Sequence, residues 1–135
     1  MRHMFSLICA LVIGVGFAAQ ADAREPLNKN KRINNELLAA AIGDEIRKNC
    51  STISARMWVV YNKGRALENY AQSLGFTDDE IDDFMDSKVE QERMKGLRNR
   101  YLAQNGVTKG DEASYCRLGE KEIADRTLIG SLLRR

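Results

Sequence analysis

The chain has 135 residues, carries 21 Lys plus Arg against 19 Asp plus Glu, and has a net charge of +2. That length allows one small domain with a single modest core. A balance so close to neutral gives no electrostatic reason to expect nucleic acid or an acidic membrane surface as a partner.

Residues 1–23 divide into three zones. Arg2 supplies a charged start, Phe5 to Phe17 is an unbroken run of apolar or small residues, and Ala18-Ala19-Gln20-Ala21-Asp22-Ala23 holds two overlapping Ala-x-Ala patterns. This is the pattern of a secretory signal peptide. The apolar run is shorter than the about 20 residues that a bilayer-spanning helix needs, so an uncleaved anchor is the weaker reading. Cleavage is expected between Ala23 and Arg24, with Ala21 as the second position. Cys9, which no small residue directly precedes, leaves with the leader, as does His3, the only histidine.

Arg24 to Arg32, "REPLNKNKR", reads as a polar lead-in, and residues 33–135 as one helical domain. In "INNELLAAAIGDEIRKNC" the residues Ile33, Leu37, Ala40 or Ala41, and Ile46 recur at helical spacing. Asn34 or Asn35 is placed to cap the helix start. Gly43 in its middle points to a close helix–helix approach, and Cys50 follows its end. The next helix carries the stripe Met57, Val60, Tyr61, Gly64, Leu67, Ala71 and Leu74 and stops at Gly75. Trp58 falls beside that stripe, where it either seals the core edge or anchors a partner; the core is the expected place.

Thr77-x-x-Glu80 and Ser87-x-x-Glu90 each match a capping box. A short helix, Asp78 to Asp86, is therefore expected to bury Ile81, Phe84 and Met85. A second, Lys88 to about Gln104, presents Val89, Met94, Leu97 and Tyr101, a single helix bent near Ser87 being the alternative. "NGVTKGD" is a loop whose Asp111 can cap a last long helix, "EASYCRLGEKEIADRTLIG", with Tyr115, Leu118, Glu122 or Ile123, and Arg126 or Thr127 facing inward. Leu128 to Leu133 is an apolar tail able to pack back, and Arg134-Arg135 reads as frayed. No segment alternates with period two for long enough to predict a sheet.

Without its leader the chain has no imidazole, which removes Ser-His and Cys-His nucleophile pairs and His-containing zinc sites. Cys50 and Cys116 remain as the only cysteines. In an oxidising compartment they are expected to form one disulfide, closing a loop of 67 residues. No thiolate is then left for catalysis or soft metals. The stretch "DDEIDDFMD" supplies Asp78, Asp82 and Asp86 as weak metal candidates. Its acids suggest either a carboxylate-dependent hydrolase or a Ca²⁺ site, yet they lack EF-hand spacing, and a helix start attracts acids in any case. In "ERMKGLRNRY" the residues Arg93, Lys95, Arg98 and Arg100 spread around a helix rather than along one side, so a solvated surface is expected there.

The segments "REPLNKN", "ELLAAAIGDEIRKNC", "SARM" and "YCRLG" resemble an uncharacterised family of small exported alphaproteobacterial proteins, a domain of unknown function, over nearly the whole chain from Arg24 to Leu133. The resemblance implies a periplasmic or secreted helical protein and carries no catalytic residue.

The sequence thus predicts an all-α bundle of four or five helices with one disulfide, preceded by a signal peptide, and not an enzyme. It needs no cofactor, and no nucleic acid or stable membrane insertion is expected. A protein partner is expected, with Trp58, Tyr61 and Tyr70 as the candidate interaction surface. The alternatives are the acidic stretch acting as hydrolase or calcium site, and a self-associating structural component of the envelope.

Overall fold

A computed structural model describes residues 24–135; the expected signal peptide, Ala23 included, lies outside the described residues. The domain is helical. A 3₁₀ turn, Leu27–Lys29, leads into α1 (Lys31–Asn49), followed by α2 (Met57–Ser73), α3 (Asp78–Asp86), α4 (Lys88–Gln104), α5 (Glu112–Ala124) and the single turn α6 (Leu128–Ser131). The "one or two helices" question at Ser87 resolves as two. The Ser87 hydroxyl caps α4, and its extended backbone at ψ 118° breaks the helical path. Thr77 and Glu80 form the expected reciprocal cap of α3.

Helix α1 is the axis of the domain, in contact with α2, α4, α5 and α6. Its C-terminal half anchors the larger core, in which Ile42, Ile46, Cys50 and Ile53 pack with Tyr115 and Leu118 of α5 and with Ile129, Leu132 and Leu133. Cys50 and Cys116 are joined by a disulfide, Cα–Cα 5.2 Å apart. Helix α5 reaches that core at Gly119, where an added Cβ would lie 2.8 Å from Ile46 Cγ2 and closer still to Ile53. The helix–helix contact foreseen at Gly43 is an ordinary one, with Leu132 and Leu133 as its neighbours; the close approach belongs to Gly119. A smaller core forms around Leu27, Ile33 and Ala71, with Leu67, Phe76 and Phe84 packed against it.

Several sequence expectations are corrected. Helix α1 starts earlier, and Asn30, not Asn34 or Asn35, caps it by accepting from the Ile33 N–H at 3.1 Å. The lead-in is not merely polar chain, since Leu27 is buried in the smaller core. The last long helix is broken. Arg126 adopts a left-handed φ of 55°, and the Thr127 hydroxyl caps α6 by accepting from the Gly130 N–H at 3.0 Å. Gly130 then lies so close to the Glu122 carbonyl that no side chain fits. Asp111 gives α5 no side-chain cap. The C-terminal tail is not frayed at Arg134: β2 (Leu133–Arg134) pairs antiparallel with β1 (Ser54–Ala55), a two-residue ladder that no alternation foretold.

Glu122 explains why α4, α5 and α6 meet. Its carboxylate is buried and accepts from the Tyr101 hydroxyl of α4 and the Thr127 hydroxyl at the head of α6, so a polar group that would be costly to bury alone is satisfied. Burial, then the bond to Glu122, push the Tyr101 phenol up to about 12 from 10.0.

Replacing both Cys50 and Cys116 by Ala is expected to cost about 4 kcal/mol in urea unfolding, since the closing loop spans 66 residues of separation; an unchanged midpoint would contradict this. Gly119→Ala should destabilise by about 1–3 kcal/mol through overpacking, whereas Gly96→Ala, with nothing within 4 Å, should stabilise by about 0.5–1 kcal/mol. The phenol of Tyr101 ionises in the unfolded chain near 10.0 and in the fold at about 12. Its contribution is therefore complete below the lower value and lost as pH rises from 10 through 12. The stability difference between wild type and Tyr101→Phe, measured by alkaline denaturant titration, should shrink across that window; a difference constant through it would refute the assignment.

Candidate interaction surface

Helix α2 presents two faces of opposite character. Val59 and Val60 pack against the larger core, and Leu67, Tyr70 and Ala71 join the smaller one. Met57, Trp58 and Tyr61 lie outward, with 66, 75 and 56 % of their surfaces exposed. This overturns the expected stripe, which put Met57 and Tyr61 inside, and the expected placement of Trp58 in the core. The physical reason is that residues 57–61 are apolar all round, so spacing alone does not choose a face. The chain entering α2 does, because the Arg56 N–H donates to the Leu132 carbonyl at 2.8 Å and this sets the rotation of the first turn.

On the outward side Trp58 and Tyr61 stack, ring centroids 5.9 Å apart and planes at 22°. Arg65 follows on the same helical face, four residues after Tyr61. Tyr70, the third sequence candidate, is not brought together with these two. It is half-buried, its hydroxyl accepts from Asn30 at 3.4 Å, and the Arg32 guanidinium lies 4.2 Å over its ring. It lines an open polar hollow at the start of α1, bordered by both acids and bases.

Shallow clefts lie along the seam between α1 and α2. Ala40, expected in the core as one of two candidates, is exposed mid-helix. It lines two shallow clefts, one with Met57 and Val60 of α2, the other with Phe84 and Met85 of α3. A further cleft of about 280 Å³ lies between Leu37, Leu67 and Phe84. Met85 and Val89, expected inside, are 48 and 76 % exposed, whereas Ile81 and Phe84 pack inward as expected and α4 buries Leu102.

The acidic stretch lies around α3 rather than converging. Asp78 accepts from Gln72 at 2.7 Å, while Asp82 and Asp86 are exposed. Among the described residues no group of three or more His, Cys, Asp or Glu is close enough to hold a metal ion. In the basic stretch of α4, Arg93 pairs with Glu90, Lys95 with Glu92 and Arg98 with Glu45.

Arg24, the residue after the expected cleavage point, is the first described residue. Its guanidinium donates to Glu80 at 2.6 Å and to the Gly75 carbonyl and lies 4.4 Å over Phe76. The Arg24 hydrogen bond, with the Thr77 N–H, lowers the Glu80 carboxyl to about 2. The sequence reading missed this clasp, and also Arg65, which its four-residue spacing from Tyr61 places on the aromatic face.

Among the described residues no helix is long and apolar enough to cross a membrane. No curated protein and no solved structure matches the chain. A family model does match, over residues 25–134, which takes in the 3₁₀ turn, all six helices, the disulfide and the outward aromatic pair; the chain belongs to the family of unknown function DUF5333.

Proposed function

We propose that this protein is exported to the periplasm or secreted, and that it acts there as a protein-interaction module without catalysis. The observation that carries the reading is the stacked Trp58–Tyr61 pair on the outward face of α2. Large rigid aromatics lose little conformational freedom on docking and supply most of the energy at many interfaces. The fold does not use them for its own stability, since the inward face of α2 is supplied by other residues. Export is supported by the Cys50–Cys116 disulfide, a cross-link that persists in oxidising compartments. Arg24, the residue after the expected cleavage point, is also tied into the domain by its bond to Glu80.

The acidic α3 gives no comparable support to hydrolysis or calcium binding. Its carboxylates are spread around the outward side of one helix, and Thr77, Glu80 and Gln72 account for its first turn.

Tagged protein recovered from the host periplasm should begin at Arg24 by intact mass. It should retain a co-purifying protein that the Trp58→Ala/Tyr61→Ala variant loses, with the melting temperature little changed. Retention of the same protein by the variant, or a cytosolic product still bearing its leader, would contradict the proposal.

A further inference from the structure

The exposed large hydrophobic side chains among the described residues form two groups, Met57, Trp58 and Tyr61 on α2, and Met85 with Val89 at the α3–α4 corner. The charges beside each group are mostly of one sign, with Glu68 on the α2 face and Lys88 beside Val89 as the exceptions. On the side of the aromatic pair, Arg56 stands at the head of α2 and Arg65 on the same helical face, while β2 brings Arg134 beside Ser54, two residues before α2 is entered at Arg56, through a 3.2 Å bond. Among the described residues no carboxylate forms an ion pair with any of these three. Around Met85 the outward face of α3 carries Asp79, Asp82, Asp83 and Asp86, all exposed and likewise without an ion pair among the described residues. Helix electrostatics account for Asp79 in the first turn but not for Asp83 and Asp86, which lie in the last turn of α3, where a negative charge opposes the helix dipole and where the helix has no basic residue.

We infer that the occupant of the α2 face is a second copy of this chain, docking the acidic outward face of α3 and its Met85–Val89 corner onto the Trp58–Tyr61 pair and its arginines. The inference rests on the reading of α2 as an interaction surface and adds the identity of the partner. Complementary charge steers such a contact and fixes its register, while the apolar centre supplies affinity. One copy offers both halves, so the contact can close as a two-fold pair or continue from copy to copy.

The test is light scattering on the oxidised, leader-free protein over a range of concentration and salt. The wild type should exceed the monomer mass at low salt and fall back toward it at high salt. Arg65→Glu alone, and Asp82→Arg/Asp83→Arg alone, should each weaken association by about tenfold or more, with circular dichroism and melting temperature confirming the fold. An equimolar mixture of the two variants, in which every contact is again between opposite charges, should regain the wild-type mass. A wild type that stays monomeric at every condition, or a mixture that does not recover, overturns the inference. A photo-crosslinker placed at the exposed Asn62, one turn on from Trp58 and leaving the aromatic pair intact, separates this in the periplasm from the reading beneath it. A product of two copies supports the inference. A product with a different protein overturns it and leaves the interaction reading standing. Absence of any product overturns both.

Discussion

The bond between Cys50 and Cys116 holds the end of α1 to the first turn of α5, and the larger core is arranged around that join. Cys50 and Ile46 are fully buried beside it, and Ile53 is carried across it by the short segment leading to β1. Gly119, one turn along α5, lets the two helices stay close after the join has set their spacing. A domain this short buries too little apolar surface to be secure on packing alone. A cross-link between residues 66 apart in sequence reduces the freedom of the unfolded chain over more than half of the described residues. The C-terminal tail then has a fixed surface to return to. Leu132 and Leu133 complete the core, and β2 ties the tail to β1.

That arrangement has a consequence for α2. With the core assembled from α1, α5 and α6, the first half of α2 need only lay Val59 and Val60 against it. Its other apolar side chains are free to face outward, and they do, at the cost of leaving aromatic surface in water. The smaller core, closed by Leu27, Ile33 and Ala71, holds the far end of α2 and the clasped Arg24. The outward aromatic face is thereby held at both ends by structure that does not include it. Rigid support of this kind would limit what the proposed partner must order on binding.

Much of the fold was legible in the sequence because local rules dominate it. The Thr77–Glu80 box and the Ser87 cap located the starts of α3 and α4 to the residue, although the Glu90 carboxylate turns to Asn28 and Arg93 rather than back to Ser87, and the two cysteines outside the expected leader allowed one pairing. What was not legible depended on rotation and on returns of the chain. Residues 57–61 are apolar on every side, so nothing local decides that Val59 and Val60 point inward and Trp58 and Tyr61 outward; a backbone bond from Arg56 to Leu132 does. The break at Arg126 needed Thr127 as a cap and Gly130 against the end of α5. Neither is visible in a periodic pattern that runs on through "DRTLIG". Glu122 was one of two inward candidates, and the hydroxyls of Tyr101 and Thr127 explain why the charged one is buried and Ile123 only partly so. Of the three aromatic candidates, Trp58 and Tyr61 are exposed together and Tyr70 belongs to the opposite face, a grouping the spacing did not reveal.

The most direct measurement of the account is native-state hydrogen exchange followed with and without reductant. In the oxidised protein the amides of α1 around Ile42 to Ile46 and of α5 around Leu118 and Gly119 should be the slowest and should open together, as one cooperative unit. Breaking the disulfide should lower protection in both helices by the same amount. Equal protection before and after reduction, with both thiols shown to be free, would contradict the claim that the join between α1 and α5 organises this domain.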